Sequence, residues 1–81
     1  MVPRIAEMKY ISDYRIWLKF EDGSQGEVDL EKELWGEVFE PLKQKQLFKR
    51  VRLDTELNTI TWDNGADFAP EFLYELVASR D

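Results

Sequence analysis

Residues Tyr14 to Phe20 alternate more strictly than any other part of the chain. Tyr14, Ile16, Leu18 and Phe20 share one parity, and Arg15, Trp17 and Lys19 share the other. Side chains in a strand point to opposite faces in turn, so this pattern makes a strand with one buried face. Such a strand needs a neighbour beside it and a second layer over its apolar side. Asp22-Gly23 supplies the turn into a neighbour at Gln25–Leu30. A two-residue loop pairs Leu18 with Glu27 and sets Val28 on the polar face. A three-residue loop, Glu21-Asp22-Gly23, pairs Ile16 with Val28 and Leu18 with Gly26. The second register keeps the apolar residues together, with Gly23 left-handed, and is the expected one.

The remaining elements follow from local pattern. Pro3 to Ile11 has strand character, but its apolar residues fall on both parities, so no inward face is assigned. Ser12-Asp13 is a turn signal. Asp29 is expected to cap a helical turn over Leu30–Leu34, which Trp35-Gly36 interrupts. Val38, Phe39 and Leu42 suggest a further short helical segment, and Leu47, Phe48 and Val51 another over Gln44–Lys49. Val51–Asp54 and Thr59–Trp62 read as a hairpin around Thr55-Glu56-Leu57-Asn58, pairing Leu53 with Ile60 and leaving Asn58 left-handed. Alternation places Ile60 and Trp62 on one face and Thr59 and Thr61 on the other.

Asn64-Gly65 ends that strand, and Pro70 suits the first turn of a last helix, expected to run to Ser79. Phe72, Leu73, Leu76 and Val77 give this helix an apolar stripe. Asp67 and Glu71 lie near its positive end, and Asp67 is expected to act as a capping carboxylate. The expectation is one α+β domain over residues 1–81: a small antiparallel sheet of about five strands, short helices, and a C-terminal helix packed on one face. Trp35 and Trp62 are expected in the core. The Tyr74 ring is expected to pack while its hydroxyl reaches Asn64 or Asp67.

Composition limits the chemistry. The chain has 81 residues, a net charge of −6, no Cys and no His. Disulfides, Cys nucleophiles, Ser-His-Asp triads and His-ligated metals therefore fall away. Acidity disfavours direct nucleic-acid binding and anionic membranes and favours a partner with a basic surface. Lys43, Lys45, Lys49 and Arg50 are read as a solvated face rather than an anion site. No secretory or long apolar segment occurs, so a cytoplasmic, unprocessed chain is expected.

Asp63, Asn64, Asp67 and Glu71 carry oxygens suited to hard cations, but their spacing is not that of a calcium loop. No metal and no cofactor is expected. Asp63 and Asp67 are the one carboxylate pair that acid–base catalysis would use. Trp17 is the outlier, lying on the polar parity between Arg15 and Lys19. Either the first strand or the last helix covers it, or the three residues form a partner-binding anchor.

Several motifs in order carry a resemblance. They are Tyr14 to Phe20 with Asp22-Gly23; Val28-Asp29-Leu30; Val38-Phe39 with Leu42; Leu47-Phe48 with Val51; and Ile60-Thr-Trp62 with Asn64, Gly65, Asp67, Pro70-Glu71 and Leu73-Tyr74. With them the chain resembles the bacterial domain-of-unknown-function family 2442, and is similar to the N-terminal domain of a nitrosomonad protein. Trp62, Asn64, Gly65, Asp67, Pro70 and Tyr74 are the specific signature. The resemblance implies a small α+β domain and brings no catalytic residue. It also implies one of two settings. Some members carry a helix-turn-helix domain, which a chain ending at Asp81 is expected to lack. Others stand beside a small protein of family 4160, in an arrangement like a toxin–antitoxin pair.

The functional expectation is a non-catalytic interaction or modulator module, an antitoxin-like partner of a small basic protein. The alternatives are a ligand-sensing domain related to transcription regulators and an enzyme using only carboxylates. A homodimer through an exposed strand edge is left open.

Overall fold

A computed structural model describes residues 2–78. Strands β1 (Ile5–Ser12), β2 (Arg15–Phe20) and β3 (Gln25–Asp29) form an antiparallel sheet in that order. Strands β4 (Arg52–Asp54) and β5 (Thr59–Thr61) form a second, two-stranded one. Between the sheets run two 3₁₀ turns, Glu31–Glu33 and Glu40–Lys43, and the single-turn helix α1 (Lys45–Phe48). Helix α2 (Pro70–Ala78) closes the described chain. The α+β class and the five strands are as expected, but the strands divide between two sheets rather than forming one. The sheets meet where the Ile5 N–H donates to the Asn58 carbonyl at 3.1 Å. The expected helix end at Ser79 lies outside the described residues.

The β2–β3 register pairs Ile16 with Val28 and Leu18 with Gly26, the three-residue-loop solution. Gly23 has φ +93°. The second hairpin pairs Leu53 with Ile60, and Asn58 is left-handed at φ +59°. The undecided face of β1 has a geometric cause. Its pairing with β2 shifts register between Ile5 and Glu7 and again between Tyr10 and Ser12. A bulge exchanges the two faces of a strand. Ile5 is therefore buried on one parity, while Met8 and Tyr10 pack against the core on the other.

One tight loop occurs twice. In the first, the Phe20 N–H donates to the Ser24 carbonyl (2.8 Å) and the Gly23 N–H to the Phe20 carbonyl (3.0 Å). In the second, Trp62 bonds to Ala66 and Gly65 to Trp62, each at 3.0 Å. The residue before each glycine closes its loop with a side-chain oxygen. Asp22 Oδ1 accepts from the Ser24 N–H at 2.9 Å, and Asn64 Oδ1 from the Ala66 N–H at 3.1 Å. Gly65 takes φ +88°, the conformation that glycine adopts without a Cβ penalty.

The core joins the inner face of β2 and β3 (Ile16, Leu18, Phe20, Val28) to Leu30, Leu34, Leu42, Phe48, Ile60, Trp62, Leu73 and Val77. Phe48 sits at its aromatic centre, 5.3 Å from the Tyr14 ring, 5.5 Å from Trp62 and 6.3 Å from Tyr10. Both faces of β5 are covered: Thr59 and Thr61 are buried along with Ile60. Their hydroxyls are satisfied by the chain that folds back over them. Thr59 donates to the Phe68 carbonyl at 2.6 Å and Thr61 to the Ala66 carbonyl at 2.7 Å.

Trp62 is in the core as expected, its indole N–H donating to the Phe48 carbonyl at 2.8 Å. Trp35 is not in the core: 71% of its surface is exposed. Leu30, Leu34 and Leu42 fill the inward positions of that segment, and the turn at Gly36 (φ +91°) carries the chain across the surface.

Candidate functional site

The Arg15-Trp17-Lys19 face is the outer face of the three-stranded sheet. Trp17 lies on the central strand, opposite Lys9 on β1 and Glu27 on β3. It is half-buried and is not part of the hydrophobic core. The charges beside it are engaged within the same face. Arg15 lies 3.9 Å from Asp29, and Lys19 lies 3.9 Å from Glu7. Exposed pairs at this distance contribute little stability, but they neutralise the face locally.

A second surface was not foreseen from the residues. Leu34 is buried and Trp35, next to it, is exposed, as are Gly36, Glu37 and Val38. The loop is held by its own backbone: Glu33 to Leu30 (2.9 Å), Trp35 to Glu33 (3.1 Å) and Glu40 to Gly36 (2.9 Å). Phe39 fixes its far end by stacking on Phe68 at 4.6 Å. Among the described residues the Trp35 ring has no aromatic partner and its indole N–H no acceptor. The available signal was the spacing Leu30, Leu34, Leu42, which fills the inward positions without Trp35.

Beside Val38 the surface continues into an apolar cleft. Asn64 Nδ2 donates to the Val38 carbonyl at 2.8 Å. Asn64 also lines the cleft, together with Pro41, Leu42, Leu47, Arg50, Trp62 and Asp63, around a volume of about 180 Å³. Arg50 makes no salt bridge among the described residues, whereas Asp63 is paired with Arg52.

The signature residues at the C-terminal end build structure. Asn64 and Gly65 form the second tight loop. Asp67 bridges to Thr61 through the backbone, and among the described residues its exposed carboxylate caps no helix amide. The helix begins instead on the Ala69 carbonyl, which accepts from Phe72 (3.1 Å) and Leu73 (3.2 Å), with Pro70 in its first turn. Asp29 does act near its predicted site, accepting from the Glu31 N–H at 3.0 Å.

Tyr74 packs edge-on to Phe20 at 5.0 Å, and its hydroxyl donates to Asp22 at 2.6 Å. The expected class of contact is present, but the partner is the first tight loop rather than Asn64 or Asp67. That bond, with the Ser24 N–H, holds the Asp22 carboxyl below its ordinary range.

Asp63, Asn64, Asp67 and Glu71 do not converge. Among the described residues, no three Asp or Glu side chains lie close enough to share an ion. Asp63 lines the cleft and Asp67 does not. Among the described residues no helix is long and apolar enough to cross a membrane. Lys45 is tied to Asp13 at 3.1 Å, which raises its pKa, and lies 5.9 Å from the centre of the Tyr14 ring.

The family model described as Protein of unknown function (DUF2442) matches residues 5–79. No curated protein and no solved structure matches the chain.

Proposed function

We propose that this chain, which belongs to the DUF2442 family, is a non-catalytic protein-interaction module for a partner with a basic surface. The observation that carries the reading is Trp35, a large aromatic side chain left 71% exposed on a hydrogen-bonded loop within an acidic segment. Exposed aromatic residues on ordered backbone are typical anchors of protein interfaces. Acidic charge around such an anchor speeds encounter with a basic surface and disfavours acidic ones. The partner in this reading is a small basic protein of the family 4160 type, met in the cytoplasm, and the pair is antitoxin-like in arrangement.

Co-expression with such a neighbour, followed by size-exclusion chromatography, tests the reading. The two chains are expected to co-elute at low salt and to separate progressively as salt screens the charges. Separate elution at low salt contradicts it.

The apolar cleft favours one other reading, a ligand-sensing domain. It has the concave apolar lining and few polar groups typical of small-molecule sites. A thermal-shift screen with metabolites separates the two, because a ligand that binds only the folded chain raises Tm.

A further inference from the structure

The proposed function leaves open which face meets the partner, and the surfaces around half-buried Trp17 and exposed Trp35 differ in a way that decides it. The outer sheet face around Trp17 has used its charge internally, through Arg15–Asp29 and Lys19–Glu7. The loop around Trp35 has not. Segment 30–40 carries Glu31, Glu33, Glu37 and Glu40 against Lys32 alone, a local excess of three negative charges. Glu40 pairs with Lys43 at 3.3 Å, but Glu33 and Glu37, the acidic residues nearest Trp35 on either side, form no salt bridge among the described residues.

We infer that the Trp35–Val38 loop is the docking surface, and that its occupant is a basic protein offering an apolar pocket rimmed by Lys or Arg. Trp35 fills the pocket, while Glu33 and Glu37 meet the rim. Val38, 46% exposed, extends the apolar contact toward the cleft through the Asn64 bond to its carbonyl. The loop is ready for this role before binding. Its backbone hydrogen bonds and the Phe39–Phe68 stack hold it in place, so little ordering is left to do on association. A like-charged second copy of this chain is a poor occupant, because two unpaired acidic loops would face each other.

The inference rests on the proposed function, and the test separates the two. Binding of a small basic protein of the family 4160 type is measured by calorimetry for the wild type, Trp35→Ala, Trp17→Ala and the double variant Glu33→Gln/Glu37→Gln. Trp35→Ala is expected to weaken binding by roughly tenfold or more, as truncation of a central aromatic anchor does. Trp17→Ala is expected to bind as the wild type. The double variant is expected to flatten the salt dependence of binding. Both tryptophans lie outside the core, and an unchanged Tm in each variant confirms that the fold is kept. Undiminished binding by Trp35→Ala, or loss confined to Trp17→Ala, overturns the docking surface while the proposed function stands. Failure of the wild type to bind at low salt overturns both.

Discussion

At the scale of single residues, this chain uses polar side chains to fasten loops to the core. The clearest cases are the two buried threonines of β5. Thr59→Val keeps the shape but removes the donor to the Phe68 carbonyl. The expected loss is about 1–3 kcal/mol, read from urea unfolding, because a buried acceptor is left unsatisfied. Thr61→Val should cost less, since the Ala66 carbonyl keeps its bond from the Trp62 N–H.

Tyr74 gives a pH-dependent case. Its hydroxyl lowers the Asp22 pKa from the ordinary 3.8, so the ionised carboxylate is favoured in the folded state. A lowered folded pKa contributes stability above the unfolded value, and that stability is lost as pH falls through the folded one. Tyr74→Phe should therefore lower Tm at neutral pH and shrink the fall in stability on acidification below about pH 4, as followed by thermal melts. An unchanged acid limb would show that the bond contributes nothing to it.

At the scale of elements, the repeated three-residue loop organises the molecule. Each copy starts from an aromatic residue at or just past the end of a strand, closes on a left-handed glycine, and sends its Asp or Asn side chain to a distant segment. Asp22 reaches Tyr74 on α2, and Asn64 reaches Val38 in the acidic loop. Gly65→Ala tests the backbone part alone, because a Cβ there meets nothing within 4 Å. The expected cost is about 1–2 kcal/mol from the left-handed conformation, measured by chemical denaturation.

Legibility in the sequence followed the same divide. Alternation and turn length gave the registers of both hairpins: a one-residue slip would turn Val28 to the outer face of the first, and the four-residue turn fixes Leu53 opposite Ile60 in the second. The inward face of β1 was hidden, because two bulges exchange its parities and no local residue announces them. The burial of the threonine face of β5 was hidden for a different reason. Alternation says which side chains share a face, not whether the returning chain from Trp62 to Phe68 covers the polar one. The signature residues Trp62, Asn64, Gly65 and Pro70 were legible as architecture, while the partner of the Tyr74 hydroxyl depended on how α2 lies against the first loop.

At the scale of the whole molecule, a small core leaves little reserve, and its aromatic centre carries much of it. Phe48→Ala should cost about 3–5 kcal/mol and leave much of the population unfolded by circular dichroism at ambient temperature. Trp35 was expected in the core on hydrophobicity alone. That expectation failed because aliphatic Leu30, Leu34 and Leu42 already occupy the space. A tryptophan that the core does not need, set among carboxylates that the fold does not pair, is the basis of the functional account.

The most direct test of that account uses the indole N–H signals of the three tryptophans in a ¹H–¹⁵N correlation spectrum. Trp62 is buried and bonded to Phe48, whereas Trp35 is open to solvent. On adding the proposed partner, a small protein with a basic surface, at low salt, the Trp35 signal is predicted to move or broaden, while the Trp62 signal holds its position. A Trp35 signal that stays in place while the partner is bound would contradict the account.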